Sequence, residues 1–490
     1  GIVASVAIIG AVGLLPLPSH RIAVPTVTVT PDPTDQVRVC PGALLRLGDE
    51  SGQNANSASS LGAPDVTTGG IGAELVSRPL SLSDAGTGGG SGAPDELTIP
   101  PAPGATLAGA QSQVVAAPDY TGFAAASCAE PSGSIWLVGG STAVGRSTLL
   151  SLANPSSVDA TVALTILSSS GPVSAPGMSG IVVKADSQRV IPLAGFAPDV
   201  ATPVVHVVSR GGQVVAVLQQ SIVRGLDAGG VDLVGAGVDP ATHLVIPGVR
   251  VFDALGVNKT RGLSDWDDVV SAVRVAVPGS RAAKVRVSLV PEDAKLDGVS
   301  FEMDVSSGQV SELGLDSAAG TDSGALSIPD GMYTVVIDAD QPVVAGVRVS
   351  TAVDPSATPG ATGTGATGTG AIVSDTVAPP SDFAWFGPSP VLSGDTAVAV
   401  ANGPAPMLSA MNPTAADVTV ILQAQGGGAA LSLIVPAGGS ASIAVQPNTV
   451  YLLTNVKGLL AAVSYAGDAQ LAHYSVSSAG PVSGPIEIRP

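Results

Sequence analysis

Along most of this chain, short runs of Val, Ala, Leu and Ile alternate with polar residues, and Gly, Pro, Asn and Asp punctuate them. Few segments hold a 3.6-residue period. The alternation and the β-branched side chains, stiff at χ1, predict pleated strands rather than helices. One pattern recurs. Leu149-Leu-Ser-Leu-Ala-Asn-Pro155 is followed by Ala160-Thr-Val-Ala-Leu-Thr-Ile-Leu167, and Met407-Leu-Ser-Ala-Met-Asn-Pro413 by Val418-Thr-Val-Ile-Leu422. A weaker copy is Ala272-Val-Arg-Val-Ala-Val-Pro278 followed by Ala283-Lys-Val-Arg-Val-Ser-Leu-Val290. Further along each copy, two apolar runs flank a short turn: Val204–Val208 with Gly212–Ser221, Tyr333–Ile337 with Asp340–Ser350, and Val450–Leu453 with Lys457–Tyr465. Each such pair reads as a β-hairpin. Thr121–Cys128 reads as the closing strand of a more diverged unit at the front.

The spacing predicts an all-β chain of tandem immunoglobulin-like β-sandwich units, at 22–130, 131–238, 239–353 and 381–490, each of ordinary domain size. Two low-complexity stretches interrupt it. Asp49 to Pro103, rich in Ser, Gly and Ala, reads as a solvated insert in the front unit, and 354–380, rich in Thr, Gly and Ala, as a linker. On this reading, protease cuts the linker first and releases a folded carboxy-terminal fragment beginning near Ser381.

Composition narrows the class. With 45% hydrophobic and only 12% charged residues, the chain can bury substantial cores. Twenty basic residues against 39 acidic ones leave a net charge of −19, which argues against nucleic acid and anionic lipid as partners. Residues 1–18 are apolar and uncharged up to Pro18, and read as a signal anchor or a signal peptide; a helix there would be about 25 Å long against a membrane core of about 30 Å. Cys40 and Cys128 flank the front unit and are expected to form a disulfide in an exported protein, the alternative being two buried thiols.

Ser127-Cys-Ala-Glu-Pro131 with Ile135-Trp-Leu-Val-Gly-Gly140, the Leu152-Ala-Asn-Pro155 turn and Asp382-Phe-Ala-Trp-Phe386 together resemble the exported actinobacterial family termed domain of unknown function 5719. The resemblance implies a place in the cell envelope behind an amino-terminal membrane segment, and an association with glycosyltransferases. It implies no catalytic residues.

Candidate chemistry is sparse. His20, His206, His243 and His473 each sit on or beside an apolar run without Asp, Glu or Cys at ligand spacing. Gly139–Gly145 lacks the Lys-Ser/Thr ending of a phosphate loop. Asp265, Asp267 and Asp268 around Trp266 are weak candidates for a Ca2+ site, lacking the glycine spacing of a calcium loop. Asp338 and Asp340 read as hairpin-turn residues. Trp136 and Trp385 read as core residues entering their repeats at the same place. No cofactor is expected. The sequence therefore predicts a non-catalytic, membrane-anchored envelope protein outside the cytoplasm, or a secreted one, engaging a cell-wall glycan or envelope proteins. Its rival is a carbohydrate-active enzyme, or an accessory subunit or scaffold of an envelope glycosyltransferase.

Overall fold

The computed structural model describes residues 27–29, 34–48, 58–82, 92–263, 266, 268–315, 328–356, 379–479 and 486–488. Asp35–Gly480 forms one compact unit. Val27–Val29 and Ile486–Ile488 pair antiparallel in a second, terminal unit. The expected segment at 1–18 lies outside the described residues. Among those described, no helix is long and apolar enough to cross a membrane.

The alternating runs become eight strands that repeat in order. In the second repeat these are Ser134–Val138, Arg146–Asn154, Ala160–Ser168, Ile181–Val183, Ser187–Pro192, Val204–Gly211, Val215–Arg224 and Asp227–Val234. Strands one, six, three and four make one sheet, and strands eight, seven, two and five the other. The fourth repeat runs from Thr396–Val400 to Gln470–Ser475 in the same two orders. Burial follows the pleat: Ala160–Ser168 begins by alternating buried and exposed positions, because one face meets the opposite sheet and the other meets solvent. Ile135, Leu150, Val162, Ile166, Val205 and Leu218 fill the space between the second repeat's sheets.

In the third repeat, the sixth and seventh strands are the single strand Gly331–Ala352. Its first half pairs with Ala241–Val251 and Ala283–Pro291, and its second half with Ala272–Ala276. The eighth strand is Ser381–Phe386, paired antiparallel with 347–352 across the whole stretch read as a linker. That stretch therefore lies between two neighbouring strands of one sheet, and the pairing crosses the boundary expected at 380/381. Phe383, Trp385 and Phe386 are all buried, each ring worth about 2–3 kcal/mol of burial. A chain cut at a protease site engineered between 357 and 378 should elute as one particle in native buffer and split only in denaturant. Release of a free, folded carboxy-terminal fragment in native buffer would contradict this.

The front repeat has the same plan with fewer strands: Gln36–Val39, Asp95–Ile99 and Val76–Pro79 in one sheet, and Tyr120–Ser127, Thr106–Ala117 and Asp65–Ile71 in the other. More than half of the described residues of the expected solvated insert are thus in strands. Leu97 and Ile99 are fully buried, an apolar content that the abundance of Ser and Gly around them masks.

Three further expectations are corrected. The paired runs flanking short turns are not hairpins: Val204–Gly211 and Val215–Arg224 lie in different sheets, and the turn carries the chain from one to the other. The seventh strand then pairs with the second, whereas immunoglobulin sheets place the seventh beside the sixth. Trp136 and Trp385 are not equivalent, the first lying on a first strand and the second on an eighth. A helix not expected from the sequence, Ala254–Arg261, follows the third repeat's first strand.

The recurring Asn-Pro turn has a local cause. Asn154 and Asn412, both fully buried, make matching bonds: the side-chain amide of Asn154 donates to the carbonyls of Val158 and Val183, that of Asn412 to those of Ala416 and Val435. Each Oδ1 accepts from the backbone and hydroxyl of the Ser or Thr two residues on.

Candidate functional site

The four repeats close into a ring around their eighth strands. Tyr120–Ser127 contacts Asp227–Val234, which contacts Ser381–Phe386, then Gln470–Ser475, which returns to Tyr120–Ser127. The cores follow the same circuit. Phe383 and Trp385 pack into the second repeat's core, Ala466 and Leu471 into the third's, and Phe123 and Ala125 into the fourth's. Val115 and Ala124 pack with Val217 and Leu233 of the second repeat.

At the centre stands Asp382. Its carboxylate accepts the backbone N–H of Phe123 at 2.8 Å, Val231 at 3.1 Å and Leu471 at 3.3 Å, one from each of the other eighth strands, and that of Phe383 on its own strand. These four amides belong to equivalent positions. The residue before them is Gly122, Gly230, Asp382 or Gln470, so one carboxylate serves four strands. Gly122 (φ +133°) and Gly230 (φ +117°) make room for it, since a Cβ on either would stand 2.7 Å from Oδ1. Burial pushes the pKa of Asp382 well above the usual carboxylate range, and the charge of Asp232 adds to this, while the amides pull it down. Asp232 on the neighbouring strand accepts the N–H of Trp385 at 2.7 Å, and its other oxygen is buried with no hydrogen-bond partner among the described residues. Burial raises its pKa to about 8.

Beyond this hub, the carboxy-terminal ends of the eighth strands and the segments after them enclose a cavity of about 650 Å3. Glu130, Ser132 and Ser134 come from the start of the second repeat, Leu233 to Asp239 from its end, Trp385, Pro388 and Pro390 from the third, and His473, Ser475 and Ser477 from the fourth. Two carboxylates, Glu130 and Asp239, line it, and no Lys or Arg does. Arg38 ties the seam between the front and fourth repeats, donating to the carbonyls of Cys128 and Ser477 and pairing with Glu130 at 3.4 Å.

The residues singled out from the sequence fare differently. Cys40 and Cys128 form the expected disulfide. Asp265 and Asp267 lie outside the described residues, as does His20. Asp268 is committed to arginines: Arg224 meets both its oxygens at 2.7 and 3.1 Å, and Arg146 meets Oδ2 at 2.8 Å. Burial alone would raise its pKa, but the hydrogen bonds of Arg224 and the charges of Arg224, Arg348 and Arg146 hold it below the usual range. A carboxylate so neutralised is a poor calcium ligand. Trp266 is buried, with the Arg224 guanidinium 4.4 Å from its ring. Among the described residues no group of three His, Cys, Asp or Glu could hold a metal ion.

The histidines are less isolated than their spacing implies. Strand register sets His243 opposite Asp338, 2.7 Å away, although 95 residues separate them. Asp338 and Asp340 lie within the long strand, not in a hairpin turn, and Asp340 accepts the N–H of Lys284. His206 stacks on Trp136 at 4.0 Å and lies 2.9 Å from the Ser134 hydroxyl at the cavity mouth. Asp382, the hub, drew no notice as a site in sequence. The signal was a lone acid inside an apolar run, Ser381–Phe386, all six residues of which are buried.

Comparison with known proteins adds a family and little else. No curated protein matches the chain. A crystal structure from Thermotoga maritima, that of protein 1070, is 19% identical, covers 23% of this chain and 84% of that one, and superposes with a TM-score of 0.18, too low to bear on fold or function. The model of a family of unknown function, DUF5719, matches residues 97–448, from the last strand of the front repeat's first sheet into the final repeat, and the chain belongs to that family.

Proposed function

We propose that this chain is a non-catalytic protein of the cell envelope, held at the membrane by its amino-terminal segment, which binds a glycan or a protein partner outside the cytoplasm. The observation that carries the reading is the central cavity: four repeats spend their eighth strands on shaping one recess within the size range of ligand sites, about 300–1,000 Å3. The disulfide is consistent with an oxidising compartment. A net charge of −19 makes neutral polar or cation-mediated contacts the expected chemistry of the interface.

One observation favours the rival, a carbohydrate-active enzyme. Ser134 and His206 stand at hydrogen-bond distance where a nucleophile and its base would be useful. Against it, no carboxylate among the described residues hydrogen-bonds the second nitrogen of His206, and burial lowers the pKa of that imidazole more than Asp239 raises it. Residues His20 to Pro490, incubated with native envelope glycans and peptides, should retain a ligand and leave it chemically unchanged. Hydrolysis or transfer that disappears in Ser134→Ala would replace the binding reading with the enzymatic one.

A further inference from the structure

The second and fourth repeats end one sheet on the same strand and treat its outer edge differently. In both, the fifth strand lies beside the second: Ser187–Pro192 against Arg146–Asn154, with Gln188 opposite Ala153, and Ser440–Ala444 against Met407–Met411, with Ser440 opposite Met411. The turns entering it match as well. Asp186 (φ +51°) and Gly438 (φ +64°) are both left-handed and donate to the carbonyls of Ser156 and Thr414, while the N–H groups of Ala185 and Ala437 reach the carboxylates of Asp159 and Asp417.

In the second repeat this edge is filled by chain from the front repeat. Ser81–Leu82 pairs parallel with Ser187 and Gln188, and the N–H and hydroxyl of Ser81 both donate to the Asp186 carbonyl at 2.9 Å. Arg78, three residues earlier, meets the Asp186 carboxylate at 2.7 Å. Ser187 and Gln188 are 2% and 3% exposed.

In the fourth repeat no strand among the described residues pairs with the equivalent edge. The Asn412 N–H donates to the Gly439 carbonyl, so the alternation of an antiparallel pair turns the N–H and C=O of Ser440 and Ser442 outward, and the Gly438 carbonyl stands where that of Asp186 receives Ser81. Gly439 and Ser440 are partly exposed. An open row of this kind is a template for an added strand. The charges differ in the same sense. Asp159 is paired with Lys184 and Asp186 with Arg78, but Pro436 stands at the position of Lys184, and Asp417 has no ion pair among the described residues. Glu292 of the third repeat, which accepts the Ser442 hydroxyl at 2.6 Å, adds a second carboxylate beside the strand. The complement is a strand that brings a cation with it, as Ser81–Leu82 brings Arg78.

We propose that the outer edge of Ser440–Ala444 docks an extended, basic segment of a partner protein as a parallel strand, with a backbone N–H on the Gly438 carbonyl and a Lys or Arg on Asp417. The proposal rests on the binding reading above, in its protein-partner form, and adds a second surface to the cavity.

The probe is the heptapeptide Val-Ser-Arg-Pro-Leu-Ser-Leu, the sequence of residues 76–82, labelled with fluorescein and titrated by anisotropy against the oxidised full chain. It should bind saturably, and about three- to tenfold more weakly when the N–H of its second serine is methylated, the worth of one hydrogen bond. Ser440→Pro removes an outward N–H at an edge where proline is tolerated, and should weaken binding similarly with the urea midpoint unchanged. Asp417 is exposed, so Asp417→Lys should fold normally, weaken the arginine peptide and strengthen a copy with glutamate in place of the arginine; it keeps the test decisive should Ser440→Pro unfold. No binding of the probe at millimolar concentration, or binding unchanged in both variants, would overturn the proposal. Envelope protein retained equally by the wild type and both variants would remove this edge and spare the binding reading. A wild type that retains nothing from the envelope would end both.

Discussion

Asp382→Ala should destabilise the folded ring by roughly 3–6 kcal/mol, because it strands buried N–H groups from four strands at once, each worth about 1–3 kcal/mol when unpaired. The loss should appear as a lower midpoint in urea for the whole ring and not for the third repeat alone, since the amides of Phe123, Val231 and Leu471 belong to the other three repeats. Asp382→Asn keeps an acceptor oxygen but turns an amide N–H toward other donors, so it should fall between Ala and the wild type. Gly122→Ala offers an independent check. It puts a methyl group where the carboxylate stands, at a backbone angle that L-residues avoid, and should destabilise without removing any polar group. Unchanged midpoints in Asp382→Ala and Gly122→Ala would show that the ring does not depend on its hub. The pH dependence has a definite sign. An acid whose folded pKa is raised contributes stability that is complete below its unfolded value of about 3.9 and is lost as the pH rises through the folded value. For Asp232 that window runs from about 4 to about 8. Asp232→Asn should flatten that part of the profile.

Breaking the Cys40–Cys128 bond should cost about 4–5 kcal/mol on the chain-entropy model, for a sequence separation of 88 residues. The two cysteines follow the first and eighth strands of the front repeat, which has the fewest strands and least core with which to compensate. The same repeat closes the ring, through Phe123 and Ala125 in the fourth repeat's core and Arg38 on Ser477. Reduction should therefore open the seam first. In hydrogen exchange, amides of 36–39, 106–127 and 470–477 should lose protection before those of the second and third repeats. Equal urea midpoints for the oxidised protein and the Cys40→Ser/Cys128→Ser double variant would contradict the assignment of this bond as the clasp of the ring.

Much of the strand content is legible in the chain because each strand's pattern is local. Alternation within Ala160–Ser168 or Ala283–Pro291 reports a half-buried pleat whatever lies opposite. The Asn-Pro turns are legible for the same reason: Asn154 and Asn412 satisfy Oδ1 within two residues and one amide bond within four. The cysteine pair is legible because each member stands at an end of a unit. Composition, by contrast, misleads where strands are short. Leu97 and Ile99 are core residues in a stretch whose Ser and Gly content signals a solvated loop.

The sequence by itself determined that this chain folds as repeated pairs of strands around Val- and Leu-rich cores, since that follows from side-chain period and turn chemistry, both properties of near neighbours. Only the tertiary structure decided that the repeats close on one another, and hence where a site can lie. Phe123, Val231, Asp382 and Leu471 converge from four repeats across hundreds of residues, and Ser381–Phe386 joins its sheet across the stretch that reads as a linker. His243 meets Asp338 through strand register, and His473 reaches the wall of a cavity to which no single repeat contributes more than part. Convergence of this kind depends on pairing between distant strands. No local pattern encodes it, because each residue's role is set by partners that its neighbours in sequence never meet.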